Sequence, residues 1–574
     1  MEAMESNRFV LATENVVCRI AIAPGSPLTA YTAAQELARC LEAMCGRRPA
    51  LLTGWPSKGD VCIGGESDEL AEEELRIHVQ SGILWVDGGR RGLLYAVYEL
   101  LEQLGCRFLA PDCEVLPTAL PVSVPVGMDV RQQPVFEYRN VHWHGITAAF
   151  APRLRLNALN REAIPETLGG NLHYCGFVHT LGDLSEMEKD ENGDYTDRQP
   201  CLTDEKTFEN VVKNLRAKLE QDPRAAIASV SQNDSHDWGT GCQCPACRAL
   251  DEAEGSPMGS LLPFVNRVAE AIAEDHPHLA IDTLAYRYTR KAPATLQARD
   301  NVIVRLCSIE SCFSHPIAEC NWTQEKVKDV TFAETLRRWA DHCKRIYIWD
   351  YTTNFRNYNS LFPNFDVLRP NVRLFAECNV RGVYEQGNAQ SVNGEFGELR
   401  AYLLGKLLWD PYMSEETYRV HMADFMAGYY GAGSGAVQRF LDRMQRAGQQ
   451  VHFGIYYDDP TELFLDPDTE GDRLTRARAF LRKGRADFDE AMAKADAAQR
   501  TRLERAAIQL DVYEWYLRRL EQDSEGTVRA GQVLFSHVMA QGITYMHESF
   551  TDKELLTFGK AEPDYTESPA FWGN

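Results

Sequence analysis

The sequence predicts a multidomain α/β protein: a (β/α)8 TIM-type barrel that follows an N-terminal α/β sandwich domain and precedes a mainly helical C-terminal domain. Three observations predict it. The chain has 574 residues, more than one hydrophobic core normally supports. Between about residues 126 and 410 short apolar β-rich runs alternate with helical stretches, the signature of a parallel sheet with crossover helices. Beyond the WDP turn at 409–411 the pattern becomes amphipathic helix. The expected domains are therefore 1–125, 126–410 and 411–574.

Composition narrows the class. A hydrophobic fraction of 44% and a charged fraction of 25% are those of a globular chain. A formal charge of −23 disfavours nucleic acid and acidic membrane surfaces as partners, since both require concentrated basic faces. The opening MEAMESNRFV has neither the basic start nor the apolar stretch of a secretory signal, and no later run is long and apolar enough to span a bilayer. The expectation is a cytoplasmic protein, or a secreted one if a leader has been removed. The sixteen cysteines, several of them placed singly inside apolar strands such as Cys307 and Cys343, read as reduced thiols.

In the front domain VVCRIAIA, DVCIGG and GILWVDGG read as strands, and TAAQELARCLEAMCG and GLLYAVYELLEQLG as helices that stop at Gly46 and Gly105. The proline-rich PDCEVLPTALPVSVPVG that follows is an extended connector. The barrel strands are expected at FEYRNVHW, HYCGFVHT, PCLTD, AIASVSQND, AIDTLAYRY, NVIVRLCSIE, RIYIWDY and RGVYEQGN. Eight is the number that closes a barrel. The third run is the shortest and follows a long acidic loop. Helical stretches are expected over 415–450, 471–497 and 499–521, and the last fifty residues carry no assignment.

Barrel enzymes place chemistry at the carboxyl ends of their strands. Here those ends are polar: Asn233 and Asp234 close the fourth run, Glu310 the sixth, Trp349, Asp350 and Tyr351 the seventh, and Glu385, Gln386 and Asn388 the eighth. Four carboxylates at the ends of apolar runs suit glycosidic cleavage, in which one acid protonates the leaving oxygen and a second group stabilises or attacks the anomeric centre. Tyr286, Tyr288, Trp349, Tyr351 and Trp143 are candidates for stacking on sugar faces, and Asn233, Asn354, Gln386, Asn388 and His179 for bonding hydroxyls. His142 and His144 alternate as a pair on one strand face would, yet no third metal ligand lies nearby. The segment GCQCPACRAL brings Cys242, Cys244 and Cys247 together, and Cys201 is the candidate fourth ligand of a structural zinc; a disulfide and plain thiols are the alternatives. Four thiolates would close the coordination shell, so catalysis needs no cofactor.

The runs SVSQND, CQCPAC, SPMGSLLPFVNRVAEAI, IDTLAYRYTRKAP, NVIVRLCSIE, IYIWDYTTNF, FPNFDVL, GVYEQGN and LRAYLLGKLLWDP, spread in order over residues 130–430, resemble the endo-β-N-acetylglucosaminidases of glycoside hydrolase family 163. RRGLLYAVYELLEQLGCRFLAPDCEVLP is similar to the small α/β domain before the barrel in β-hexosaminidases and α-glucuronidases. The resemblance implies retaining hydrolysis within the chitobiose core of N-glycans, on an oligosaccharide or glycoprotein; such an enzyme can use the acetamido oxygen of the substrate as nucleophile, the alternative being an ordinary double displacement with Glu385 or Asp350 as nucleophile. Related hexosaminidases keep two adjacent acids at strand four, whereas this chain has Asn233 beside Asp234. The expected roles are Glu310 as general acid/base, its pKa raised by Ile309 and Phe313, and Asp234 as the carboxylate that orients the acetamide, with Glu385 and Asp350 in reserve. The competing readings are an exo-acting β-N-acetylhexosaminidase or α-glucuronidase, for which only Arg287 and Arg290 offer the cations a uronic acid requires, and a glycan-binding barrel without turnover.

Overall fold

The computed structural model describes residues 7–65, 70–191, 193, 195, 198–235, 241–323, 330–392 and 394–548. The chain divides into two compact units. One comprises Met1–Asn171, Phe396–Gln438 and Asp489–Leu503, the other Leu172–Glu395, Arg439–Phe488 and Glu504–Asn574.

The first unit holds a six-stranded mixed sheet in the order Asp129–Gln132, Leu75–Gln80, Ile83–Gly88, Val61–Ile63, Ile20–Ile22, Leu51–Thr53. Its helices Thr29–Cys45 and Gly92–Gln103 lie where the sequence places them. The first buries Ala33, Ala34, Leu37 and Leu41 at helical spacing, and each leucine contributes about 2 kcal/mol by leaving water. Gly46 ends that helix at φ 72°, a left-handed conformation that costs glycine little. The proline-rich connector is extended and supplies the strand Val122–Pro125, which pairs antiparallel with Arg8–Ala12 in a separate two-stranded sheet.

The same unit encloses a charge cluster. Lys406 donates to the Glu102 carboxylate, and Arg155 reaches Glu99 at 2.7 Å and Glu102 at 3.0 Å. Burial alone would raise the Glu102 pKa, but Arg155 and Lys406 outweigh it and hold the group at about 2.

In the second unit six parallel strands lie side by side in the order Val380–Gln386, Ile346–Tyr351, Val302–Cys307, Ala280–Ala285, Ile227–Ser229, Tyr174–Cys175. Their near-continuous apolar character follows from burial on both faces; every residue of Val302–Cys307 is buried. Counted with Tyr138–His142 the series has seven strands and is a curled, TIM-like parallel half-barrel. The expected third strand does not form: PCLTD makes a turn, because Asp204 caps the Glu205–Gln221 helix by accepting from the Lys206 amide and so commits the run to a helix start. Cys343 likewise caps the Phe332–His342 helix instead of sitting inside a strand.

The C-terminal stretch is helical as expected, over Glu415–Tyr430, Ser434–Gly448, Arg473–Met492 and Ala497–Leu520, with a further helix at Ser524–Ala540. The unassigned tail packs: Ile508, Val512, Leu534, Val538, Ile543 and Met546 form one buried cluster. Residues 549–574 of that tail lie outside the described residues. No described helix is long and apolar enough to cross a membrane.

Candidate active site

The lumen face of the sheet is built on a buried ion pair. Arg305 bonds Asp282 at 2.7 Å, both side chains being fully enclosed, and also donates to the Phe177 carbonyl. Its guanidinium lies 4.2 Å from the Phe177 ring centroid, 5.2 Å from Trp349 and 5.4 Å from Tyr174. Burial raises the Asp282 carboxyl to about 6 even though Arg305 opposes it. Side chains alternate along a strand, so the Trp349 contacts identify who shares this face. Trp349 packs on Tyr384 at 4.8 Å and donates its indole N–H to Gln386 Oε1 at 2.8 Å.

The same alternation sends two of the expected acids the other way. Asp350 and Glu385 are register partners on neighbouring strands, one position removed from Trp349 and Tyr384, and both are buried. Asp350 accepts from the Ser308 hydroxyl and from the Tyr351 amide at 2.9 Å. Burial lifts Asp350 to about 6 and, with Asp350 alongside, holds Glu385 well above the usual carboxylate range. They form a proton-holding pair behind the sheet.

Above the lumen, acids and aromatics line an open recess. Asp234, its side chain 47% exposed, stands 3.8 Å from His179 Nε2. The Tyr286 hydroxyl approaches Asp234 Oδ1 at 3.4 Å while accepting from Arg287 Nε at 2.7 Å. His179 Nδ1 faces the Gln232 carbonyl at 2.8 Å, which fixes a proton on Nδ1 and turns Nε2 toward the acid. His179 and Arg287 both adopt left-handed backbone, φ 54° and 51°, a strain of about 1 kcal/mol or more for a residue with a Cβ.

Two groups that the strand-end argument missed complete the recess. Glu548, an exposed side chain, accepts from the Gln386 amide at 3.3 Å, and the walls around it together with the charge of Asp234 raise its carboxyl above the ordinary value. The Tyr358 amide donates to the Met546 carbonyl at 2.6 Å and the Tyr545 amide to Ser391 Oγ at 3.2 Å, which pins the tail over the strand ends. Tyr456 is 44% exposed, yet the surrounding walls push its phenol up to about 12. Its segment is held by the Phe355 amide, which donates to the Ile455 carbonyl at 2.8 Å. No strand-end signal marks either residue, since both arrive on segments far along the chain.

Glu310 lies one layer deeper, 1% exposed, with neither carboxylate oxygen hydrogen-bonded and Arg290 Nη1 at 3.6 Å. Burial lifts it to about 7, against the opposing pull of Arg290. Its charge acts on Tyr351, a buried phenol also influenced by Tyr286 and Tyr456.

Several expected sugar ligands spend their groups internally. Asn233 accepts from the Gly182 amide and donates to the Arg198 carbonyl, both at 2.8 Å. Asn354 donates to the Tyr457 carbonyl at 2.9 Å, tying two distant segments, and Asn388 to the Ser391 carbonyl at 2.8 Å, closing a turn. Tyr288 packs beside Gly241 and Cys242, away from the recess. Trp143 is buried in the first unit under the Arg400 guanidinium. His142 ends its strand and burial lowers it to about 4, so the His142 and His144 pair does not share a strand face.

The expected cysteine cluster does assemble. The sulfurs of Cys201, Cys242, Cys244 and Cys247 lie within 4.8 Å of one another, Cys201 being 3.7 Å from Cys244 and 4.0 Å from Cys247. Tetrahedral zinc with bonds of about 2.3 Å sets sulfurs roughly 3.8 Å apart, so the donor set fits that ion. Cys244 caps the Pro245–Glu254 helix by accepting from the Cys247 amide, which gives the knuckle its turn.

Fold and site together define a TIM-like barrel protein with acids and aromatics gathered at its strand ends. Residues 108–442, more than half of the chain, match the family described as a domain of unknown function, DUF4838, and the chain belongs to that family. No curated protein matches it. Among solved structures, a family GH115 4-O-methyl-α-glucuronidase with specificity for decorated arabinogalactans is similar at a TM-score of 0.60 and 11% identity, over 97% of this chain and 80% of that one. A GH138 enzyme targeting pectin rhamnogalacturonan II is similar at 0.44 and 10%, over 93% and 75%. A mutant Streptomyces plicatus β-hexosaminidase in complex with GlcNAc is similar at 0.44 and 13%, over 74% and 92%. At these identities the first likeness is one of fold.

Proposed function

We propose that the chain is a retaining glycoside hydrolase acting on N-acetylglucosamine linkages, with Asp234 and Glu548 as its working acids. The observation that carries this reading is the approach of the Tyr286 hydroxyl to the exposed Asp234 carboxylate at 3.4 Å, with Glu548, held on the Gln386 amide at 3.3 Å, near enough to feel the charge of Asp234. Asp234 accepts the acetamide N–H of the substrate and Tyr286 steadies the acetamide oxygen. That oxygen attacks the anomeric carbon as the bond to the leaving oxygen breaks, and Glu548 gives its proton to the leaving oxygen. Water then opens the resulting ring at the anomeric carbon and returns a proton to Glu548. A carboxyl held above its ordinary value by its surroundings and by a neighbouring charge suits the acid half of that cycle.

The endo-acting specificity, cleavage within the chitobiose core of N-glycans, rests on the ordered motifs of residues 130–430. Incubation with an N-glycoprotein and with aryl N-acetylglucosaminides tests it: release of an intact glycan is expected. Turnover of aryl glycosides alone would move the reading to an exo enzyme. Binding with no turnover on either substrate would sink it. A second reading, Glu310 as the general acid, is favoured by its raised carboxyl and its two oxygens without hydrogen bonds.

A further inference from the structure

We propose that Cys312, His315, Cys320 and His452 form a structural Zn(II) site that joins the loop after Glu310 to the segment bearing Tyr456. Three of the ligands follow the Val302–Cys307 strand closely, in the spacing Cys-x2-His-x4-Cys, and the fourth comes from beyond the Ser434–Gly448 helix. One donor atom from each lies within 4.8 Å of the other three.

The distances suit a shared cation. Cys312 Sγ is 3.4 Å from His315 Nδ1 and 3.4 Å from His452 Nδ1, and Cys320 Sγ is 3.5 Å from the same His452 nitrogen. A tetrahedral ion with zinc–sulfur bonds of about 2.3 Å and zinc–nitrogen bonds of about 2.0 Å sets sulfur and nitrogen roughly 3.5 Å apart. One imidazole lone pair can take one thiol proton, yet His452 Nδ1 faces two sulfurs.

The surroundings orient the ligands as a metal requires. His315 Nε2 faces the Gln449 carbonyl at 3.1 Å, so the proton sits on Nε2 and Nδ1 keeps its lone pair. Ser314 spends its hydroxyl proton on the Val451 carbonyl at 2.5 Å and offers His315 no competing donor. The His452 ring stacks flat on Trp322, with 1° between the planes and centroids 5.9 Å apart. Between the two ligand groups the Phe313 amide donates to the Phe453 carbonyl at 3.0 Å, so the metal would clamp a backbone contact that already exists. Two thiolates and two imidazoles close the shell and assign the ion a structural role.

The experiment counts zinc per chain by elemental analysis in protein prepared without chelator, for the wild type, for Cys242→Ser with Cys244→Ser, and for Cys312→Ser with Cys320→Ser. The Cys312/Cys320 pair is expected to lower the count by one whether or not the Cys201 cluster holds metal. His452→Ala, at an exposed side chain, is expected to weaken retention against a competing chelator about tenfold or more, and it provides the measurement if the double variant does not fold. Cobalt-loaded protein should show the thiolate charge-transfer and intense visible bands of a tetrahedral sulfur–nitrogen site, diminished in His452→Ala. A zinc count and chelator competition unaltered by these changes would overturn the proposal, as would a Cys312–Cys320 disulfide in unreduced peptides.

Discussion

Trp349 donates its indole N–H to Gln386 at 2.8 Å, and this single bond decides which end of the Gln386 amide meets Glu548. With Oε1 held by the indole, the amide nitrogen faces the carboxylate at 3.3 Å and favours its charged form.

Gln386→Leu removes that donor. The Glu548 carboxyl, already raised by its surroundings and by Asp234, should then rise further. The alkaline limb of kcat/KM is expected to move up by about half a pH unit or more, the equivalent of a weak charged hydrogen bond. An unmoved limb in the pH–rate profile would mean that Glu548 does not set it.

Glu548→Gln and Glu310→Gln separate the two candidate acids. Loss of the general acid should cut kcat by about 10²–10⁴ with substrate binding kept, and activated aryl leaving groups should restore much of the loss. The expected outcome assigns this pattern to Glu548, with a milder loss for Glu310, which touches the recess only through neighbours such as Tyr351. The reverse pattern in leaving-group series would transfer the role to Glu310.

Asp234→Asn should depress turnover by about 10² or more, and should do so far less on substrates whose acetamide is replaced by hydroxyl, because those gain nothing from its orientation. Equal losses on both substrate types would exclude the acetamide role.

The Asp350–Glu385 pair predicts an inverted pH dependence of stability. Both carboxyls titrate higher in the folded state than when unfolded, so the folded protein binds more protons and gains stability as pH falls through the folded pKa of Asp350, about 6, toward the ordinary carboxylate range. Glu385→Gln should flatten the rise in Tm between pH 8 and pH 5, measured by scanning calorimetry. Glu102 has the opposite sign: its folded pKa of about 2 lies below the unfolded value, so its contribution is present above about pH 4.5 and disappears as pH falls toward 2. Glu102→Ala leaves the enclosed Lys406 without its carboxylate and Arg155 with Glu99 alone, and should cost about 3–5 kcal/mol in denaturant unfolding.

Much of the barrel was legible because fully buried parallel strands announce themselves as apolar runs; Val302–Cys307 and Ile346–Tyr351 fall inside their expected segments. PCLTD was misread because one capping aspartate outweighs a short β-prone run. The site was legible by residue type but not by direction. Period-two alternation, applied from Trp349, would have sent Asp350 and Glu385 to the opposite face from Gln386, whereas the strand-end argument counted them together. Amides such as Asn233 and Asn388 look alike in sequence whether they meet a sugar or tie the backbone together. Glu548 reaches Gln386 across 162 residues, carried there by the packing of Ile543 and Met546 into the C-terminal helices and by the hydrogen bonds of Met546 and Tyr545 to Tyr358 and Ser391.

The left-handed backbone at His179 and Arg287 bears on any effort to harden this protein for use. Glycine at either position would relieve the strain and, on backbone grounds, look like an improvement to a stability screen. It would also delete the imidazole that faces Asp234 or the guanidinium that braces Tyr286. Selection for heat resistance alone would thus drift toward a sturdier but idle scaffold, and any such library has to be sorted on turnover as well.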